Sequence, residues 1–427
     1  MSRYPHFSAM TDRPLHIVVL GGGAAGFFGA IACAQTYPHI RVTLLEANRQ
    51  PLAKVRISGG GRCNVTHACF EVAMLVQNYP RGGKALRGAL TRFQPRDTID
   101  WFACRGVELK TEADGRMFPT TDDSTTIVDC LLHRAKAIGV KICTATPAID
   151  LRKKVDGSFE IELKSGELLL ADRVLIATGS NPKGYQWARD MGHMVEPPVP
   201  SLFTFNIADR SLRDLAGVSV SSACLRLPDA KLTQTGPLLI THWGLSGPAI
   251  LKLSAWGARF LSECRYQTKL SINWLPDDNP ETLRKQLQEL RSQSSKKSIG
   301  SHCPFSLAKR LWLYLLDRSV IDPQTQWAQV SNKTLNELLQ IVTQSQYKIT
   351  GKGVFKEEFV TCGGVNLKEV NFKTMESRCC PNLYFAGEVL DIDGVTGGFN
   401  FQSAWTTGWI AGNAMGKLDD RDLDLSH

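Results

Sequence analysis

Apolar positions along the chain fall into two rhythms, short unbroken runs and longer stretches with helical spacing. Ile17–Leu20 is an unbroken run behind His16, the pattern of a strand buried on both faces. Ala24–Ala34 then reads as a helix with small residues on the face that approaches a sheet, and Arg41–Glu46 as a second strand. Ala85–Cys104 reads as helical with a break near Pro95. Ser124–Ile138 is amphipathic, with Ile127, Val128, Leu131, Leu132 and Ala135 on one face. Strands are expected at Val140–Cys143, Ile149–Leu151, Phe159–Leu163, from Leu168, and at Arg173–Ile176, with a turn at Asp156-Gly157. Gly115–Pro119 reads as a turn carrying the apolar pair Met117-Phe118. Pro197, Pro198 and Pro200 mark a boundary. Beyond it, short strands predominate to about Trp274. Helices follow at Thr282–Gln293, Ser306–Asp317 and Thr334–Gln344, so 201–350 reads as an insertion with a β part and a helical part. The last section returns to α/β character. Asn382–Glu388 is strand then turn, Asp391–Gly398 a loop, and Phe399–Met415 a helix rich in small residues.

Chemistry enters at the strand ends. Gly21-Gly22-Gly23-Ala24-Ala25-Gly26 fits G-x-G-x-x-G between a strand and a helix, and the second strand ends in Glu46 twenty residues after Gly26. Gly21 permits the tight turn, Gly23 admits a pyrophosphate to the backbone, and Gly26 lets helix and strand close up. The helix start, with Ala24 and Ala25, offers N–H groups and partial positive charge to phosphates. Glu46 suits ribose hydroxyls. Lys54 to Thr66 reads as a second glycine loop of exposed donors, with Ser58, Gly59, Gly60, Gly61, Arg62 and Asn64 as contacts and Lys54, Arg56 and Arg62 clustered for phosphates. Ala177-Thr178-Gly179 forms a further strand end. Gly387-Glu388, followed by Gly397, Gly398, Phe399, Asn400 and Gln402 at a helix start, forms the last. Ala47 and Ala148 complete the expected cofactor set. A simple NAD-only dehydrogenase does not need this last segment. An extended, noncovalently bound FAD does, because a helix start near the flavin stabilises negative charge on the reduced ring. No second G-x-G-x-x-G is evident, so NAD(P)H is expected only as a transient donor.

Composition adds bounds. The chain has 427 residues and is 43% hydrophobic, which supports a large core and two or three domains. No run is long enough to span a bilayer, and the first residues lack an apolar signal core, so no membrane association is expected. Twelve scattered cysteines without paired C-x-x-C spacing point to reduced thiols in the cytoplasm and to no metal site. The net charge of +9 is compatible with a polyanionic partner, and Arg284, Lys285, Arg291, Lys296, Lys297, Lys309 and Arg310 lie on the expected helices.

SGGGRCNVT (Ser58–Thr66), GRMFP (Gly115–Pro119), THWGLSGPAIL (Thr241–Leu251), TCGGV (Thr361–Val365) and LYFAGEVLDIDGVTGGFNFQSAW (Leu383–Trp405) carry a resemblance over nearly the whole chain. It resembles the bacterial HI0933-like flavoproteins, also called aminoacetone-oxidase-like or BaiN/RdsA-type NAD(P)/FAD-dependent oxidoreductases. The resemblance implies an α/β, FAD-binding Rossmann-like fold of the two-dinucleotide-binding-domain type. That domain would take 1–200 plus 351–427, with a β-barrel-like insert at 201–280 plus about 346–352 and a small helical domain at 281–345. It implies one of three chemistries: amine oxidation, reduction of a steroid-like enone, or reduction of uridine to dihydrouridine in 23S ribosomal RNA. The expected activity is NAD(P)H-driven reduction of a C=C bond, with ribosomal RNA the leading substrate and a small molecule the alternative. A non-catalytic RNA-binding flavoprotein is the least favoured reading. Hydride addition leaves a carbanion that needs an acid. Cys63 is the first candidate, since neighbouring Arg62 should lower its thiol pKa. His242 in the Thr241–Pro248 turn, expected to roof the flavin, and Cys362 beside Gly363-Gly364 follow. The sequence leaves the oligomeric state open.

Overall fold

The computed structural model describes residues 13–353 and 360–417. The chain divides into two compact units, one of 1–198 plus 363–427 and the other Val199–Cys362. The chain passes between them in two strands, Val195–Ser201 and Val360–Val365, which form a two-stranded sheet of their own. Among the described residues that sheet has no further strand on either side, so the three prolines of the first strand cost no ladder bonds in a larger sheet.

The first unit is built on a seven-stranded sheet. Its order is Val370–Asn371, Glu376–Ser377, Leu383–Phe385, Arg173–Ile176, His16–Leu20, Arg41–Leu45, Lys141–Cys143. The five strands from Leu383–Phe385 to Lys141–Cys143 are parallel. Beyond Leu383–Phe385, Glu376–Ser377 runs antiparallel to both of its neighbours, Leu383–Phe385 and Val370–Asn371. All five residues of His16–Leu20 are buried, as its unbroken pattern requires for a central strand. Helices Ala24–Thr36 and Phe399–Met415 pack against each other through glycine and alanine. A Cβ on Gly408 would strike the Ala25 carbonyl, and one on Gly412 the Gly29 carbonyl. The small-residue face of each helix is therefore a close-packing face.

Three local readings change. Arg116–Pro119 is a strand, pairing with Thr66–His67 on one side and Leu109–Thr111 on the other. The turn sits just before it, at Gly115, where φ is +85°. Met117 and Phe118 form the buried part of that strand, which accounts for the apolar pair. Second, Ala53–Gly61 is helical at its start and breaks only at Ser58–Gly60, so the second glycine loop is shorter than expected. Third, two insert helices start earlier, at Pro280 and Asn332, because Asn279 and Ser331 cap them through side-chain oxygens.

In the second unit Phe205–Ile207, Gly244–Ser246, Leu232–Thr241, Ser219–Leu227, Thr268–Asn273 and Ser345–Lys352 close into a barrel in that order. Inward residues alternate with outward ones. Leu270, Ile272, Tyr347 and Ile349 are buried, whereas Lys269 and Lys348 are exposed. Helices Pro280–Gln293, Lys309–Arg318 and Asn332–Gln344 bury Leu283, Leu311, Trp312 and Leu338 in the same cluster as Leu225 and Trp274. Barrel and helices thus share one core.

Candidate functional site

In the first unit, the strand ends that carry the glycine motifs meet along one edge of the sheet. Gly21 N–H donates to Leu45 O at 2.9 Å, Ala177 N–H to Leu20 O at 2.9 Å, and Ala386 N–H to Ile176 O at 3.1 Å. This is the carboxyl edge of the parallel strands, and His16–Leu20 is where the chain order switches direction, the usual ligand position in an open α/β sheet.

The glycines divide their roles as the motif demands. A Cβ on Gly21 would collide with the Ala177 carbonyl, and one on Gly26 with the Gly21 carbonyl. A Cβ on Gly23 meets nothing within 4 Å. Gly23 therefore opens onto free space beside a helix start that has no side-chain cap and no acid in its first turn. Its leading N–H groups lack intrahelical partners and suit an anion. Glu46 is held in place: Oε2 accepts from Gly22 N–H at 2.8 Å, and Oε1 from the Asn48 backbone and side chain at 2.8 and 2.9 Å. Each oxygen keeps acceptor capacity for a ribose hydroxyl. Thr146 N–H donates to Glu46 O, which brings the segment before Ala148 alongside; Ala47 itself is exposed.

Elsewhere the site corrects the sequence reading. Lys54, Arg56 and Arg62 do not form a cluster of open cations. Lys54 pairs with Glu388. Arg62 pairs with Glu112 at 2.6 Å and Asp122 at 3.4 Å, and lies 3.9 Å over the Phe118 ring. Arg62 thus faces carboxylates on the Leu109–Pro119 side. Cys63, with φ of +62°, is fully buried, and burial pushes its thiol up to about 12, the reverse of the lowering expected from Arg62. Gln402 is also fully buried. Its Oε1 accepts from Thr66 at 2.6 Å and Thr98 at 2.9 Å, and its Nε2 donates to Thr406 at 3.1 Å, so its side chain is engaged within the protein.

The second and third glycine elements are joined. Asn64 accepts from Gly398 N–H at 2.9 Å and donates to Thr66 O at 3.1 Å. A Cβ on Gly398 would meet Thr66 O at 2.5 Å. The Asn400 side chain pins the Asp391–Gly398 loop by two bonds to Gly394, at 2.8 and 2.9 Å. Helix Phe399–Met415 begins without a side-chain cap or an early acid, a second open positive helix end. Gly179 (φ +60°) approaches Glu388, whose carboxylate would lie 3.5 Å from a Cβ there. The Thr178 hydroxyl and the Tyr185 hydroxyl are both buried without a hydrogen-bond partner in the structure. They are two orphaned polar groups on the stretch that follows Ile176.

Sequence reasoning passed over His67, Tyr79, Arg81 and Asp393. His67, directly after the Asn64-Val65-Thr66 run, stacks on Phe399 with centroids 4.7 Å apart. Arg81 and the fully buried Asp393 form an ion pair, with Arg81 Nε 2.6 Å from Oδ1. The Tyr79 hydroxyl donates to Phe399 O at 2.8 Å, and Val395 N–H to Asn78 O at 2.8 Å. Segment 78–81 therefore holds the last glycine loop. His67 was legible as the end of SGGGRCNVTH; the Arg81–Asp393 partnership spans 312 residues and left no local signal. His193, Glu369 and Cys379 bring ligand-type atoms within 4.8 Å of one another. His193 Nε2 contacts Ser377 Oγ at 2.7 Å, and its Nδ1 lies 3.3 Å from a Glu369 carboxylate oxygen. Of the remaining proton-donor candidates, Cys362 is buried in Val360–Val365, and His242 is exposed at the turn between Leu232–Thr241 and Gly244–Ser246.

The residues fit FAD. An open Gly23 beside an uncapped helix, an anchored acid at the second strand end and a second uncapped helix at Gly398 are what an extended dinucleotide needs. Fold and site together define an FAD-dependent oxidoreductase of Rossmann-like type. The chain belongs to the HI0933-like protein Rossmann domain family, whose model matches residues 15–414. It is 31% identical over 404 residues to the ribosomal RNA dihydrouridine synthase of Escherichia coli, covering 92% of this chain and 96% of that one. It is 29% identical over 420 residues to the 3-dehydro-bile acid delta(4,6)-reductase of Clostridium scindens, covering 93% and 98%. Among the described residues, no helix is long and apolar enough to cross a membrane.

Proposed function

We propose that the protein is an FAD-dependent reductase of an activated C=C bond, with uridine in large-subunit ribosomal RNA as its substrate and NAD(P)H as its transient electron donor. The observation that carries this reading is likeness over more than nine-tenths of the chain to two relatives, one named for a dihydro product and one named a reductase, and the open Gly23 beside an uncapped helix start supports it. Two relatives are named ribosomal RNA dihydrouridine synthases, and the chain's net charge of +9 suits a polyanion. A cytoplasmic location follows from that substrate.

Bound FAD supplies hydride chemistry. The protein's own part is positioning and charge. The helix start at Ala24 would take the pyrophosphate, with Glu46 on the ribose. The helix start at Phe399 would stabilise negative charge on the ring system. A proton must reach the second substrate carbon. Cys63 is sealed and held neutral by burial, and Cys362 is equally enclosed. His242 is the candidate whose side chain reaches solvent, and it is the one of the three to test first as the proton source.

A second reading, reduction of a small steroid-like enone, is favoured by the bile acid relative. Ribosomal RNA from a strain deleted for this protein separates the two. Dihydrouridine should vanish from the large-subunit RNA and return with the wild-type gene. Unchanged dihydrouridine would reject the RNA reading.

A further inference from the structure

The excess positive charge of the chain is unevenly placed. Val199–Cys362 holds 20 Lys and Arg against 13 Asp and Glu, whereas the rest of the chain holds 30 against 28. Within that unit, the helices mix the two signs, carrying Glu281, Glu289, Asp317 and Glu337 among their cations. Arg284 faces Glu281, Arg291 bonds Val330 O and Asn332, and Arg310 bonds Asp214 O. The barrel wall differs. None of its six strands contains an Asp or Glu.

Strand register brings the wall's cations together. Lys269 and Lys348 are direct cross-strand partners, and both are exposed. Arg226 pairs in register with Ser271, two residues along the same face from Lys269, and is exposed as well. Among the described residues, none of the three is ion-paired. The polar fill between them is uncharged, with Gln346 donating to Ser271 Oγ at 3.0 Å. Beyond the strand ends, Asp229 accepts from Thr268 at 3.0 Å. Like charges directly opposite each other on neighbouring strands destabilise a sheet, and an acid at any outward position would relieve them. The wall keeps the repulsion instead, which suits a surface that meets phosphates.

We infer that this outer wall, centred on Arg226, Lys269 and Lys348, is the surface on which the protein holds the phosphate backbone of its RNA substrate. The inference rests on the RNA reading given above and assigns the contact to one face of one unit. Backbone contacts of this kind position the nucleic acid and carry no base information.

The test uses FAD-loaded protein and an in vitro transcript of the large-subunit RNA region that carries the modified uridine. Three variants, Arg226→Gln, Lys269→Gln and Lys348→Gln, are combined in one chain. Wild type should bind with strong salt dependence. The triple variant should bind at least about tenfold more weakly at low salt, and its log–log salt slope should be shallower by about 2, for three lost contacts to a single strand. Lys269→Glu separates binding from folding. It replaces a repulsive cross-strand pair with an attractive one against Lys348, so Tm should rise while RNA affinity falls. If wild type forms dihydrouridine and the triple variant keeps wild-type affinity and salt slope, the wall is not the RNA surface. If wild type neither binds nor modifies the RNA, the RNA reading itself falls. Vesicles rich in phosphatidylglycerol are the counter-probe. Variant-sensitive binding to them without any to RNA would make the wall a lipid surface and overturn the inference.

Discussion

At the scale of residues, neighbouring glycines in one motif have separable purposes. Gly26 is a packing residue, whereas Gly23 faces open space. Gly26→Val should therefore destabilise the fold by the ~1–3 kcal/mol of an overpacked contact, or more. Gly23→Val should fold with unchanged apo stability and yet purify without flavin. Absorbance at 450 nm against a thermal melt reads both properties, and a stoichiometrically yellow Gly23→Val protein would contradict the cradle. The proton donor separates at the same scale. Cys63 is enclosed, and its thiol is pushed up to about 12. Iodoacetamide at pH 8 should therefore label the exposed Cys104 and Cys379 well before Cys63 in the native protein. His242→Asn should load with FAD and accept electrons normally, yet lose about a hundredfold or more in substrate reduction. Stopped-flow reoxidation checks this, and wild-type reoxidation would remove His242 from the chemistry.

At the scale of elements, what the sequence revealed was whatever is local. The run Ile17–Leu20, the glycine turn and Glu46 lie within one stretch, so pattern and spacing expose them together. The Gly398 helix was equally legible, because a glycine pair opens a run of small residues. Illegible were the partners that only the fold brings close. Arg62 looked like a free cation beside Cys63 because Glu112 and Asp122 are distant in sequence and their pairing depends on how the Leu109–Pro119 strands fold back. Gln402 looked like a ligand contact because Thr66 and Thr98 arrive from other elements. The Arg81–Asp393 pair is the strongest of these hidden links. Its carboxylate is fully buried, so Arg81→Ala removes the ion-pair partner of a buried charge and should cost about 3–5 kcal/mol. Because Asp393 lies in the last glycine loop, the same variant should lose FAD. Urea unfolding with flavin fluorescence follows both; near-wild-type stability with full flavin would show the pair to be dispensable.

At the scale of the whole molecule, stability should carry the mark of two buried histidines. Burial is the largest influence on His16 and His193, and it lowers both below the ordinary 6.5. Each is neutral in the fold where the unfolded chain would already be protonated. Their stabilising contribution is thus complete above about 6.5 and declines as pH falls towards their folded values. Unfolding free energy should drop on acidification below that point, and His193→Gln should flatten the drop; identical pH slopes would reject the assignment. At this scale the chain of one FAD-dependent oxidoreductase comprises a nucleotide-binding unit and a basic barrel unit. The most direct test mixes anaerobically reduced holoenzyme with a large-subunit ribosomal RNA transcript in single turnover, following flavin absorbance and dihydrouridine together. Reoxidation of the flavin with about one dihydrouridine formed per flavin is the predicted result. A flavin that stays reduced in the presence of RNA, while a small enone reoxidises it rapidly, would contradict the account.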